Sequence, residues 1–340
     1  MKWDRDLIYK TNFLSFILLL LSSLGLVSCS SSTPLDIART TTQVPTDLTP
    51  EAKEVGFPTP IPNPRAEVIL TYNFGGFVNH LKGRDLTISQ NELALLLKYK
   101  APFLVDLRKP LEVKKTGYIP GAILIPLSEL GRKSSALPDY KVPVIVYCQK
   151  TSECMIALTG LGVFGWEIKV LDGGFEAWAA AGQPVKYDQI PVPTIDPFKP
   201  AFPCCGIYQQ SAEVKANPNA PSASLVAATD RMFDHIPENF GAITVEELEQ
   251  EILADSSLVV IDLRPSSMLK ENQPIKAPNF LNIPFESLIE KRELWPKDKA
   301  TPIIVYCQDG TVSPVAMTIF WTWGYQNTRE LQGGIAAWAK

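Results

Sequence analysis

The sequence predicts an α/β protein with two domains, each built on a central parallel sheet covered by helices on both faces. Short apolar runs, such as Phe103-Leu104-Val105, Val142 to Tyr147 and Ile303 to Tyr306, alternate with stretches of helical periodicity, as strands buried on both sides do. The run Val142-Pro143-Val144-Ile145-Val146-Tyr147-Cys148-Gln149 also recurs as Thr301-Pro302-Ile303-Ile304-Val305-Tyr306-Cys307-Gln308, 159 positions later. Asp106-Leu107-Arg108 with Asp262-Leu263-Arg264, Ile125-Pro126 with Ile283-Pro284, Gly173-Gly174 with Gly333-Gly334, and Ala177-Trp178 with Ala337-Trp338 repeat in the same order at nearly the same offset. One repeat of a domain's length is a tandem duplication, not a solenoid. The chain has 340 residues, 46% hydrophobic and 20% charged, enough for two cores of ordinary size.

Residues 1–28 read as an export signal: Lys2, Arg5 and Lys10 precede a short apolar core from Phe13 to Val27, too short for a comfortable membrane span. Leu26-Val27-Ser28-Cys29 resembles the lipobox of bacterial lipoproteins, which implies cleavage before Cys29 and lipidation of its sulfur; an ordinary signal peptide with Cys29 incidental is the other reading. A lipidated Cys29 would hold the protein to a bacterial membrane in the cell envelope, facing the periplasm or the exterior. Residues 29–86 begin as a Thr- and Pro-rich disordered tether, with a short strand expected at Ala66–Tyr72 and a turn at Phe74-Gly75-Gly76-Phe77.

The first regular domain is expected over 87–185. Ser89 caps an amphipathic helix carrying Leu93, Leu96 and Leu97; Phe103 to Val105 is a strand ending at Asp106-Leu107-Arg108. A turn and short strand follow over Tyr118 to Pro126, then a helix start at Ser128 to Leu130 and a strand over Val142 to Tyr147. Cys148 opens a loop before a helix from Met155 to Phe164; a strand over Ile168 to Leu171 leads through Asp172-Gly173-Gly174 to a helix from Phe175 to Ala181. Asp106/Arg108 and Asp262/Arg264 are expected to pin the strand ends by ion pairs, Trp178 and Trp338 to pack the last helices, and Tyr147 and Tyr306 to lie in the cores. Residues 186–242 form a Pro-rich linker, and 243–340 the second domain.

The order of helix, strand with Asp-Leu-Arg, Ile-Pro-Gly-Ala-Ile-Leu-Ile-Pro, strand-Cys-loop-helix and Gly-Gly-Phe-Glu-Ala-Trp resembles the rhodanese (sulfurtransferase) domain, in both halves. The resemblance implies a doubly wound fold in which a loop opening with cysteine wraps its amides around the sulfur. It also implies a cysteine that cycles between thiol and persulfide, taking sulfane sulfur from a small donor such as thiosulfate or a mercaptoacid. The acceptor would be a thiol, cyanide or a protein, and no cofactor is implied.

The chemistry of the two loops is consistent with that cycle. Cys307 stands where a buried strand meets a helix opened by Pro314, with Ser313 a favourable cap, and faces backbone N–H groups that stabilise an anion. A cysteine that ionises easily is expected there. Gln308, Asp309, Gly310, Thr311, Val312 and Ser313 supply the loop; Gly310 matches the family's glycine, Ser313 adds a hydroxyl, and Asp309 should raise the thiol's pKa. The first loop, Cys148-Gln149-Lys150-Thr151-Ser152-Glu153-Cys154, has Thr151 for the glycine and Cys154 for the serine, with Lys150 supplying a favourable charge. It stays open as a second transfer site, a structural domain, or a redox pair with Cys154 resolving Cys148. Phosphatases on this fold need an Arg six residues after the cysteine; Cys154 and Ser313 stand there instead.

A net charge of −4 argues against a nucleic-acid partner. With only His80 and His235 in the chain, no metal site is expected, and Cys204-Cys205-Gly206 reads by default as linker, a disulfide to another cysteine or exposed thiols that relay sulfur being the other readings. If Cys29 is lipidated, five cysteines remain, so at least one cannot pair within the chain, which suits a working thiol. The sequence therefore points to a membrane-tethered sulfurtransferase with Cys307 as nucleophile, against a non-catalytic docking module or a thiol-disulfide protein using Cys148 and Cys154.

Overall fold

The computed structural model describes residues 64–138, 142–195, 223–270 and 273–339. Strands β1 (Thr87–Ile88), β2 (Phe103–Asp106), β3 (Ala122–Leu124), β4 (Val144–Tyr147) and β5 (Ile168–Leu171) form a sheet in the order β1-β5-β4-β2-β3. Strands β6 (Ala242–Ile243), β7 (Val259–Asp262), β8 (Asn279–Asn282), β9 (Ile303–Tyr306) and β10 (Thr328–Leu331) repeat it as β6-β10-β9-β7-β8. Every pairing in both sheets is parallel, as the alternation of strand and helix requires. Each cysteine of the repeat leaves the central strand, at the carboxyl end where such sheets place ligands.

Among the described residues, ten α-helices connect and cover the sheets: α1 (Pro64–Leu81), α2 (Gln90–Tyr99), α3 (Pro110–Thr116), α4 (Leu130–Lys133), α5 (Thr151–Gly162), α6 (Gly174–Ala180), α7 (Ala223–Asp234), α8 (Val245–Ala254), α9 (Ser313–Thr322) and α10 (Gly334–Trp338). Ser89 and Thr244 start α2 and α8 with matching capping boxes to Glu92 and Glu247. Side chains alternate across β9: Ile304 and Tyr306 face the core under α8 and α10, while Ile303, Val305 and then Cys307 face the core that α9 covers. That second core is shared, because α5 of the first repeat packs on α9 of the second.

Two helices correct the expectations for the flanking segments. Ala66–Tyr72 and the Phe74–Phe77 turn are one helix, α1, whose Leu70, Phe74, Phe77 and Val78 are buried on one face. Gly75 and Gly76 together cost the helix about 2 kcal/mol, which burial of two phenylalanines outweighs. Within the segment read as linker, α7 buries Leu225, Met232 and Phe233 and packs on α1, α5 and α9. Gly160 of α5 permits this, since a Cβ there would stand 2.5 Å from the Phe233 ring. The tether, Cys29, Cys204 and Cys205 lie outside the described residues.

The other core expectations hold. Asp106–Arg108 and Asp262–Arg264 are buried ion pairs at 2.6 and 2.7 Å. Tyr306 donates to Asp262 Oδ2 at 2.7 Å and accepts the Ile275 N–H, and Trp178 donates to the Pro184 carbonyl.

Candidate functional site

Cys307 leaves β9 into a tight loop whose amides turn inward. The Gly310 N–H donates to Sγ at 3.2 Å, and the backbone N–H groups of Asp309, Val312 and Ser313 also favour its anion. Gly310 takes φ +85°, the left-handed conformation that lets the chain fold back this sharply. The loop rests on the start of α10: the Ile335 and Ala336 N–H groups bond the carbonyls of Cys307 and Gln308. A Cβ on Gly334 would lie 2.4 Å from the Cys307 carbonyl oxygen, which explains why a Gly-Gly pair sits at this point in the sequence.

Two expectations for this loop need correction. Ser313 does not cap α9; Val312 occupies that position without a side-chain bond, and Ser313 is the first helical residue. Its buried hydroxyl instead donates to Glu330 Oε2 at 2.9 Å. Nor does Cys307 ionise easily, because burial pushes its thiol up more than the surrounding amides pull it down. Cys307 is only 3% exposed. Asp309, exposed, places Oδ1 3.7 Å from Sγ while accepting the Thr311 N–H; burial, not this carboxylate, is what raises the thiol.

The first loop has another shape. There α5 begins at Thr151, three residues after the cysteine, whereas α9 begins six after Cys307. The Glu153 carboxylate accepts the N–H groups of Gln149 and Lys150, and the extra helical turn brings Cys154 back over Cys148, Cα to Cα 5.6 Å, in a disulfide. Thr151 Oγ1 accepts the Gly173 N–H at 2.6 Å, filling the space that glycine leaves in the second loop. The Gln149 N–H goes to Glu153 Oε2, and Lys150 projects into solvent. Among the described residues, Cys307 is the one free thiol, and no cluster of His, Cys, Asp or Glu fits a metal.

Because the bridge closes so short a loop, reducing it is expected to lower stability by only about 2 kcal/mol on the chain-entropy account. Urea titrations with and without reductant check this; a loss that unfolds the protein in buffer contradicts it.

Glu330 carries no motif that would single it out in the sequence. It is the single carboxylate on β10, 2% exposed, beside Val305 in the sheet, where Val170 lies beside Val146 in the first repeat. Burial pushes its carboxyl up to about 7 against the Ser313 bond that pulls it down. The folded protein thus holds this proton more tightly than the unfolded chain does. Glu330 contributes stability that is fully present below the ordinary value of 4.5 and is lost as pH rises through about 7. The loss is on the order of 3 kcal/mol, and Glu330→Gln is expected to flatten it. Denaturant titrations at several pH values read this directly, and an unchanged slope in the variant contradicts the assignment.

Comparison with known proteins accords with this geometry. The rhodanese-like domain profile matches residues 89–181 and 244–340, more than half of the chain. A sulfurtransferase from Allochromatium vinosum is 26% identical over 98 residues, 29% of this chain and 87% of that protein. An HTH-type transcriptional regulator from Mycobacterium tuberculosis is 38% identical over 85 residues, and an uncharacterised Synechocystis protein 36% over 110. The matches take in 24% and 32% of this chain, and the chain spans only 36% and 60% of those two relatives. Among solved structures, a thiosulfate sulfurtransferase from Pseudomonas aeruginosa is 19% identical, covering 78% of this chain and 46% of that one at a TM-score of 0.34. With two matched repeats, two parallel sheets of one order and a cysteine at the end of each central strand, the chain belongs to the rhodanese-like domain family.

Proposed function

We propose that this protein is a sulfurtransferase that carries sulfane sulfur as a persulfide on Cys307. The observation that carries the reading is the cradle at Sγ, a Gly310 N–H at 3.2 Å with further amides beside it, at the carboxyl end of the central strand. Fixed N–H dipoles stabilise a sulfur anion as an oxyanion hole does an oxygen. With thiosulfate, the Cys307 thiolate attacks the outer sulfur; a new sulfur–sulfur bond forms, the bond to the sulfonate sulfur breaks, and sulfite leaves with the electron pair. The terminal persulfide sulfur then bears the negative charge the amides hold. Cyanide, a thiolate or a protein cysteine takes that sulfur and returns the Cys307 thiolate. A mercaptoacid or a protein persulfide is an equally suitable donor class. Gln308, Asp309, Thr311 and Val312 form the wall the donor meets. A donor and acceptor panel assayed on the wild type, Cys307→Ser and Cys148→Ser tests the reading. Turnover that survives in Cys307→Ser removes it.

The Cys148–Cys154 disulfide favours a second role for the first repeat, thiol-disulfide exchange in place of sulfur transfer. Its reversible formation is followed by thiol trapping in buffers of graded redox potential. A pair that stays reduced under oxidising conditions leaves that repeat a structural role.

The reading extends to the N-terminus, where Cys29 would carry the lipid anchor of a cell-envelope protein. Among the described residues no helix is long and apolar enough to cross a membrane. Cys29→Ala is expected to release the protein from the membrane fraction.

A further inference from the structure

A buried thiol that ionises reluctantly needs somewhere to send its proton, and the second repeat has a path for it. The Cys307 thiol donates toward Ser313 Oγ at 3.7 Å, and the Ser313 hydroxyl donates to Glu330 Oε2 at 2.9 Å. Both hydrogen bonds point the same way, from sulfur to carboxylate. Cys307 and Glu330 project to the same face of the sheet, the one α9 covers, and all three residues are buried.

We infer that Glu330 is the proton acceptor for Cys307, taking the thiol proton through the Ser313 hydroxyl so that the buried pocket carries one negative charge throughout the sulfur-transfer cycle.

Proton and charge balance follow directly. Cys307 thiol with Glu330 carboxylate becomes Cys307 thiolate with Glu330 carboxylic acid, Ser313 passing one hydrogen on as it receives another. The charge then stays on sulfur, from thiolate to persulfide and back, while Glu330 keeps the proton. Two buried anions a few ångströms apart would repel strongly, so one proton shared along this chain is the low-energy arrangement. Glu330's own neutral form is favoured by burial, which suits it to hold that proton near neutrality.

Of the helices packed on α9, α5 carries Glu153, which accepts the Gln149 N–H, and α7 carries Asp230, Arg231 and Asp234, the last paired with Arg132. Helix α9 and strand β6 carry no ionisable side chain, and β9 carries only Tyr306, bonded to Asp262 on the other face. The adjacent Arg329 pairs with Glu251 of α8. Among the described residues Asp309 is the one rival acceptor, also 3.7 Å from the thiol but exposed. The first repeat lacks both members of the path: Cys154 stands for Ser313 and Val170 for Glu330, and there the sulfur is tied in a disulfide.

The inference rests on Cys307 as the sulfur carrier, but its test does not require turnover. The rate of Cys307 alkylation by iodoacetamide is measured against pH for the full chain, after the Cys148–Cys154 bond and any other thiols have been accounted for by peptide mass. The wild type is expected to show a step with its midpoint near 7, where the pocket takes up its single charge, followed by a plateau. Glu330→Gln and Ser313→Ala are each expected to lose that step and to react at least about tenfold more slowly at the plateau, a shift of one pKa unit or more. Ser313→Thr restores the hydroxyl and the step, and Asp309→Asn keeps it. A wild-type profile without a step near 7 overturns the inference even if no variant folds. So does a step that survives Glu330→Gln or disappears in Asp309→Asn. A retained step in a protein that turns over no donor leaves the relay standing and removes the sulfurtransferase reading instead.

Discussion

Cys307→Ser is expected to abolish sulfur transfer, reducing turnover to the uncatalysed rate, because serine cannot form the persulfide and no other described thiol is free to replace it. The double variant Cys148→Ser/Cys154→Ser is expected to stay within about twofold of wild type. The asymmetry follows from the two loops. Around Cys307 the helix starts late and the loop amides face the sulfur; around Cys148 it starts a turn earlier, Glu153 takes the Gln149 and Lys150 N–H groups, and the sulfur is bonded to Cys154. Steady-state rates with a saturating donor measure both variants. Equal loss in the two would mean that the first repeat carries sulfur as well, and would contradict the division of roles between the loops.

The second large effect concerns stability. Arg264 is 1% exposed and pairs with Asp262, which also accepts from Tyr306. Arg264→Ala removes the cation but leaves a carboxylate buried, and breaking such a pair costs about 3–5 kcal/mol. Arg108→Ala is expected to cost at least as much, since its guanidinium also bonds Thr116 Oγ1 and the Gly117 carbonyl, whereas Nη1 of Arg264 has no partner among the described residues. Urea unfolding of the two variants gives the values. Costs below about 1 kcal/mol, the range of exposed ion pairs, would show that these residues do not pin the strand ends.

Much of this architecture can be read from the residues alone. Ile303 to Tyr306 is an apolar run too short for a helix, so it has to be a buried strand, and Cys307 has to follow it. The Gly-Gly pairs mark the repeat, though not their purpose of admitting the cysteine loop against α10. Other features depend on contacts between distant segments. Helix α1 contains Gly75-Gly76 and exists because Phe74 and Phe77 find cover, Phe74 against Trp323 at 4.9 Å. Helix α7 lies among prolines that make the whole segment read as linker. The reluctance of Cys307 to ionise escapes the sequence because the amides are local and visible there, while depth of burial is set by the rest of the chain. The one signal for Glu330 is its place opposite Val170 across the duplication.

Mass measurement of the intact protein after exposure to thiosulfate, followed by peptide mapping, tests the central claim most directly. Transfer through a Cys307 persulfide predicts a gain of one sulfur atom on Cys307, removed by cyanide and absent from Cys307→Ser, with no gain on Cys148 while its bond to Cys154 is intact. A protein that gains no sulfur on Cys307 from thiosulfate, a mercaptoacid or a persulfide donor would contradict it.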